Sequence, residues 1–555
     1  MDIPSLFMIP SAVSSGKVHS VFPNSTDADF DFNRDSDATR VNSEGLIERV
    51  GYYGSELVTN GGFDADTNWS KDGWKIENGK AINTLASSGL NLYQGGVTSV
   101  GNTFKVVLDA VISAGGLKIL LGGGSGGYNE IGQASATGTH TFSGVSNGTD
   151  NRILIQTLSG STIGSVIVDN VSVKQINGDR ARLNYEIEGG LVNTKPSLLL
   201  ETQSTNLNTH TNLGDSSWLT SGTNKVSNNA ISPDGTNTAT KVTLTTSTAN
   251  HYIYKNVTAV ASNTYTVSCF IKRGTGNFAS VGINQRDSSN LFVGAVDFVY
   301  DFDNNTLGSA ITGGTAPTNA SAKVEEYNNG WYRLSVTGTL ASNAPTLRAV
   351  ISVAASTSSI YHAGNGKDNI YVFGCQIEQQ SYPTSLIITN GSTQTRAAET
   401  CNGAGTSSIL PSEEGILYTE ISVNGLPSSG FLILGLNDGT VNNNVFIEIG
   451  TNGLLTFFVI SGGTNVASKV SSVNPLNNFV KCAIRYKLND VSFWINGTEI
   501  HSDTSATMPV GLSQLDFDYG NGAHKFYGNV RDIRVYNTKE MTDSEVDILL
   551  NKITS

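Results

Sequence analysis

The sequence predicts an all-β protein: three tandem β-sandwich or jelly-roll domains set on a split N-terminal element, with one short helix closing the chain. Three observations carry that prediction. Charged residues make up only 15% of the chain while glycine fills 60 positions among many Ser, Thr and Asn, the composition of half-exposed strands joined by frequent turns. Apolar and polar residues alternate in short runs bounded by Gly, Asn and Pro, as in NTYTVSCFIKRG and NNGWYRLSVTGTL, which is the period of strands with one face in a core. A helical period occurs only in the last stretch, TDSEVDILLNKITS.

A chain of 555 residues exceeds one ordinary domain. Residues 1–50 contain DFDFNRDSDATRVNSEGLIE, and residues 181–207 read ARLNYEIEGGLVNTKPSLLLETQSTNL. The two stretches 1–50 and 177–207 flank a third. The stretch between, 51–176, opens with ELVTNGGFDADTNWSKDGWKIENGKAI and closes with SVIVDNVSVKQI. FKVVLDAVI, LKILLGG, HTFSGV and RILIQTLS read as its intervening strands, which makes it an inserted jelly roll. Residues 208–399 repeat the theme at greater length, with 381–399 as an extended tail. Residues 400–555 form a third sandwich, from EGILYTEISV to YGNVRDIRVYN. Its terminal helix starts at Thr542, which caps it with Glu545 three residues on, and Val546, Leu549, Leu550 and Ile553 form the apolar face.

The net charge is −13 and the pI about 5.0. No Lys/Arg cluster offers a face that could track phosphates, so nucleic acid is not an expected partner. There is no run of 18 apolar residues and no charged-then-apolar leader, so neither membrane insertion nor Sec export is expected. Cys269, Cys375, Cys401 and Cys482 lack metal-ligand spacing, and Cys269 and Cys375 sit inside strand patterns as buried residues do.

The split pattern resembles the opening of a family of bacteriophage virion proteins, in which the two pieces are nearly contiguous and precede modules like those of head and tail fibres. Arg34, Ser36, Ala38, Thr39, Arg40 and Gly45 match the first piece, and Arg182, Tyr185, Pro196, Glu201 and Asn206 match the second. The run NGWYRLSVTGT with VFGCQIEQQSYPTSLIITNGSTQTRAAE is similar to the module that follows in that family. The inserted domain resembles carbohydrate-binding modules of the jelly-roll type at its two edges, and the third sandwich resembles concanavalin A-like and laminin-G-like domains. The resemblance implies a structural component of a phage virion, a head or tail fibre or spike, with 1–50 plus 177–207 as one split element for virion anchoring or oligomerisation. Its expected partners are other virion proteins, sister chains in a homotrimer, and host-surface or environmental glycans. It would be assembled in the host cytoplasm and would not be an enzyme. A capsid decoration protein that binds no glycan, a polysaccharide depolymerase and a bacterial surface lectin stand as alternatives.

Few motifs carry chemistry. Gly123-Gly124-Ser125-Gly126-Gly127 fits a nucleophile-elbow pattern but is followed by no helical period, so it reads as a glycine-rich β-loop. The histidines are scattered, and no strand carries the dense acid pattern of a glucanase; Glu448 stands alone in FIEIG. The resemblance to jelly-roll binding modules implies a structural calcium held by Asp64 and Asp169 with backbone carbonyls. Asp368 and Glu378 lie near the matching strand of the second module, with no acid opening it. Trp69, Trp74, Trp331 and Trp494 are the candidates for stacking on sugar rings, against the competing reading of each as core. Arg34 and Arg40 read as docking or intersubunit ion-pair residues.

Overall fold

Gly51–Gly178 forms one unit of the chain, and Met1–Val50 with Asp179–Ser555 forms the other. This computed structural model describes residues 3–14, 16–84, 89–158, 165–177 and 181–555. Strands dominate both units, and among the described residues the one α-helix is Asp543–Thr554 at the end of the chain.

In the first unit, a six-stranded antiparallel sheet faces a five-stranded one. Thr103–Ile112 shows why these residues form strands: Phe104, Val106, Leu108 and Ala110 are buried while their neighbours are not. That strand pairs with Val166–Asn177, where burial passes from Val168 to Val171 without strict alternation. A register irregularity and a left-handed Asn170 (φ 51°) absorb the extra residue there. The glycine-rich run lies in the loop between Gly116–Gly122 and Tyr128–Ala134. A Cβ at Gly122 would fall 1.3 Å from the Asn147 carbonyl oxygen, so only glycine fits this close approach.

The second unit contains two sandwiches with separate cores. One is the second module, with a seven-stranded and a six-stranded sheet. The other is the third module, with an eight-stranded and a five-stranded sheet. The helix lies on the eight-stranded sheet. Its predicted face, Val546, Leu549, Leu550 and Ile553, packs on Ile416, Tyr418, Ala483, Trp494 and Tyr536. The Thr542–Glu545 capping box is present.

The split element joins the third module's sheet and core. Gly528–Asn537 pairs along one edge with Glu414–Ser422. Its other edge is shared by Ser197–Leu200, through Leu198 opposite Val530, and by Leu6–Met8, through Leu6 opposite Val535. Arg182–Asn184 then extends the sheet beyond Ser197–Leu200. Phe30–Asn33 pairs with Thr400–Asn402. Leu6, Met8, Phe30, Phe32, Leu198 and Leu200 belong to the same core as the third module's own strands. Burial inside the chain claims these side chains.

Candidate functional site

The residues that carry the split pattern meet in a buried cluster of charges. Arg34, Arg182 and Arg396 have no exposure, and Glu201, Glu378 and Glu399 at most 4%. Arg34 Nη1 donates to Glu399 Oε1 at 2.7 Å, and Arg182 Nε donates to the same oxygen at 2.9 Å. Arg182 Nη1 reaches Glu201 Oε2 at 2.6 Å, and Arg396 Nη1 lies 2.9 Å from that oxygen. Backbone groups complete the set: Arg34 donates to the Val50 carbonyl, Arg182 to that of Thr39, and Arg396 to that of Thr202. Burial pushes the Glu201 carboxyl up, but Arg396 and Arg182 outweigh it and hold the group down at about 2. Nothing here faces solvent, so the cluster is a clasp within the chain.

This corrects the reading of Arg34 as an intersubunit residue: its partners are in its own chain, and it is sealed from any second one. Arg40 is partly exposed and pairs with Glu48 at 2.7 Å beside a cleft of about 470 Å³ whose walls include Tyr185, Lys323 and Tyr382. Glu378 is no metal ligand candidate either, since Ser204 and Thr384 occupy its carboxylate inside the same region.

The four tryptophans are not stacking platforms. Trp69 and Trp74 are 6% and 5% exposed and lie in the core of their unit, with indole N–H groups bonded to the carbonyls of Asn60 and Leu90. Trp331 packs with Phe270, Ile47 and Leu386, and Trp494 packs under the terminal helix. A large ring that neighbouring elements can cover gains more from burial than from waiting for a ligand.

Asp64 is exposed and Asp169 half-buried. The segments that carry them meet where the Val171 N–H donates to the Gly61 carbonyl at 2.9 Å, and Asp169 Oδ1 accepts from the Asn170 N–H at 2.7 Å. Among the described residues no group of three or more His, Cys, Asp or Glu side chains could hold a metal. A calcium at this pair would therefore take most of its six to eight oxygens from carbonyls and water. All four cysteines are free and buried.

The face best built to receive a ligand lies on the second module. Its six-stranded sheet is covered on the outside by the Phe270, Trp331, Ile47 and Leu386 cluster. The seven-stranded sheet turns Ile253, Val257, Val281, Ile283, Ala349 and Ile351 inward, so the alternate residues share its outer face. Register aligns them in rows across Tyr252–Thr258, Thr346–Val353, Phe278–Arg286 and Phe292–Asp301. Tyr252, Ser352 and Ser280 form one row. Tyr254, Val350, Gly282 and Asp297 form the next, and Asn256, Arg348 and Asn284 the third. Arg286 lies one row further, opposite Thr346 and beside Phe292.

Two properties distinguish this face. The first is its aromatic and planar groups. Tyr252 and Tyr254 meet edge to face at 5.6 Å, and the Arg348 guanidinium lies 4.1 Å over the Tyr254 ring while its Nε donates to Asn256 Oδ1 at 2.8 Å. Arg286 sits 5.5 Å over the half-exposed Phe292 ring. The second is unmet hydrogen bonding. Ser280 Oγ, Asn284 Oδ1, Arg286 Nε, Asp297 Oδ1 and Ser352 Oγ are buried without partners, and such groups are rare in native proteins unless water or a ligand completes them. The Asp297 carboxyl lies over Gly282, where a Cβ would meet Oδ1 at 2.1 Å, and burial pushes its pKa up to about 7.

Sequence reading missed these residues. HYIYKNVT and LRAVISV alternate as strands do, but nothing local says which alternating face a neighbour covers. The available signal is Tyr252, Tyr254 and Asn256 at every second position of one run.

No family model matches the chain, and no curated protein matches it. Among solved structures it is similar to the tandem CBM22-1-CBM22-2 domain of Paenibacillus barcinonensis Xyn10C, at 12% identity over 58% of this chain and 97% of that one, with a TM-score of 0.27. It is also similar to domains LG4-5 of the mouse laminin alpha1 chain, at 12% identity over 54% and 90%, with a TM-score of 0.18. Trypanosoma rangeli sialidase is similar at 9% identity over 94% and 98%, with a TM-score of 0.21. Likenesses of this size assign neither ligand nor activity.

Proposed function

We propose that this chain is a structural component of a bacteriophage virion, a head or tail fibre or spike that adheres to glycans on a host or in its surroundings. The virion reading rests on the resemblance of the split N-terminal pattern. The adhesive reading rests on one observation, the outer face of the seven-stranded sheet, where Tyr252 and Tyr254 stand beside planar Asn and Arg groups and buried polar atoms without partners. Flat aromatic surface with convergent polar groups is the means by which proteins hold sugar rings. Several copies on one particle, as in a homotrimer, would raise a weak site to useful avidity. A calcium at Asp64 and Asp169 belongs to this reading as a structural ion.

Two experiments test it. Cryo-EM of the particle should place the chain in projecting density; a flat lattice over the shell would favour the decoration protein, and absence from the particle would end the virion reading. A polysaccharide panel probed with the full chain should show binding that Tyr254→Ala weakens. No binding to any member, at trimer or particle valency, would remove the adhesive reading.

A further inference from the structure

We infer that the ligand of the second module's outer sheet face is an anionic glycan, a polysaccharide carrying carboxylate or sulfate groups, and that Arg286 and Arg348 hold its charge. The inference rests on the sheet-face reading above and adds to it the class of sugar.

The argument begins with charge. Arg286 and Arg348 lie on neighbouring strands in adjacent rows of the same face, and Arg348 is near enough to disfavour the protonated form of Arg286: burial, then Arg348, lowers the Arg286 pKa. Among the described residues neither guanidinium has a carboxylate partner. Arg348 bonds to the neutral Asn256, and Arg286 Nε bonds to nothing. In a chain of net charge −13, acids are the commoner charged residue, so two adjacent uncompensated cations depart from the background. By contrast, Arg34 and Arg182 are neutralised by Glu399. The acid in the rows of this face, Asp297, does not serve: its raised pKa has burial as its cause, with no contribution from either arginine.

Geometry points the same way. Both guanidinium groups lie over aromatic rings, Tyr254 and Phe292, which fixes their orientation; Arg286 is partly exposed and Arg348 8% exposed. A fixed planar fork suits carboxylate and sulfate oxygens. Asn256 and Asn284 flank the pair with neutral donors and acceptors, suited to hydroxyls, and Tyr252 with Tyr254 offers ring surface. A patch of two arginines among amides and tyrosines fits a sugar acid. A polyphosphate or an anionic membrane calls for an extended basic face, which an acidic chain without Lys/Arg clusters does not offer.

The test uses the full chain in affinity electrophoresis and calorimetry against polygalacturonate, a sulfated galactan, neutral xylan and dextran, and single-stranded DNA. Binding to polygalacturonate, to the sulfated galactan or to both is expected, and the comparison between them identifies the anion. Arg286→Gln and Arg348→Gln should each weaken it about tenfold or more, as removal of a desolvated charge partner does. Salt at about 0.5 M should weaken it further. Far-UV circular dichroism and melting confirm that each variant is folded. Should Arg348→Gln fail to fold, Arg286→Gln and the salt series decide the matter, since Arg286 is only partly buried. Binding to neutral xylan or dextran that is indifferent to both variants and to salt would overturn the anionic inference and leave the glycan reading standing. Binding to DNA alone would overturn both, as would binding to nothing.

Discussion

Arg34 and Glu399, 365 positions apart in the chain, form a 2.7 Å ion pair in which both side chains are fully buried. Arg182 shares that glutamate, so one carboxylate joins both halves of the split pattern to the tail of the second module. Removing it would take from two buried arginines the carboxylate they share, and leave Arg182 with Glu201 as its remaining acid. Glu399→Ala should therefore cost about 3–5 kcal/mol, read as a lower urea midpoint or as loss of soluble protein. Arg40→Ala, which breaks a half-exposed pair with Glu48, should cost about 0–1 kcal/mol. Equal effects would show that the clasp contributes nothing beyond a surface pair.

The same cluster sets acid stability. Glu201 is held at about 2 in the folded chain, below the value of about 4.3 for an unfolded chain. Its contribution is complete above the unfolded value and is lost as pH falls from there towards 2. The melting temperature should fall through this window, and a stability that is flat from pH 5 to about 2 would contradict the assignment.

Asp297 acts in the opposite sense. The folded state keeps its proton up to a pH of about 7, whereas an unfolded aspartate releases it near 4, at about 3.9. Stability therefore declines as pH rises between those values and stays reduced above them. Asp297→Asn removes this loss, so the variant should melt higher than the parent at pH 8 and no higher at pH 4. Glu448, pushed up to about 7 by burial on the third module, titrates in the same window, and part of the decline should remain in the variant.

Excision of 51–178 should leave the rest of the chain folded. The segment is a compact unit with its own core. The Val50 carbonyl and the Arg182 side chain, at the two ends of the cut, are held by the same Arg34–Glu399 pair. A short Gly/Ser linker joining Val50 to Asp179 should give a soluble product with one cooperative unfolding transition for each remaining folding unit. Aggregation of that product, with the parent soluble under the same conditions, would show that the unit is needed for folding.

Calcium at Asp64 and Asp169 is tested by melting 51–178 within the full chain. Saturating calcium should stabilise that transition by about 2.7 kcal/mol at a hundredfold excess over the dissociation constant, and a chelator should reverse the gain. Asp64→Asn with Asp169→Asn should abolish the response. Parent protein that melts identically with calcium and with chelator would remove the site.

The sequence by itself determined the elements and their order. Alternation at Phe104, Val106, Leu108 and Ala110 names a strand and its inner face, and Thr542 with Glu545 starts the helix, because these are relations among near neighbours along the backbone. Tertiary structure decided which surfaces remain. Tyr254 and Phe270 both stand on outer faces of sheets in one sandwich, yet Phe270 is covered by Trp331, Ile47 and Leu386 while Tyr254 stays available. Trp69 and Trp331 were candidate platforms in sequence and proved to be core. Arg34 resembled a docking residue until Glu399 was found beside it. Burial and pairing depend on what packs from hundreds of positions away, and no local period encodes that partner.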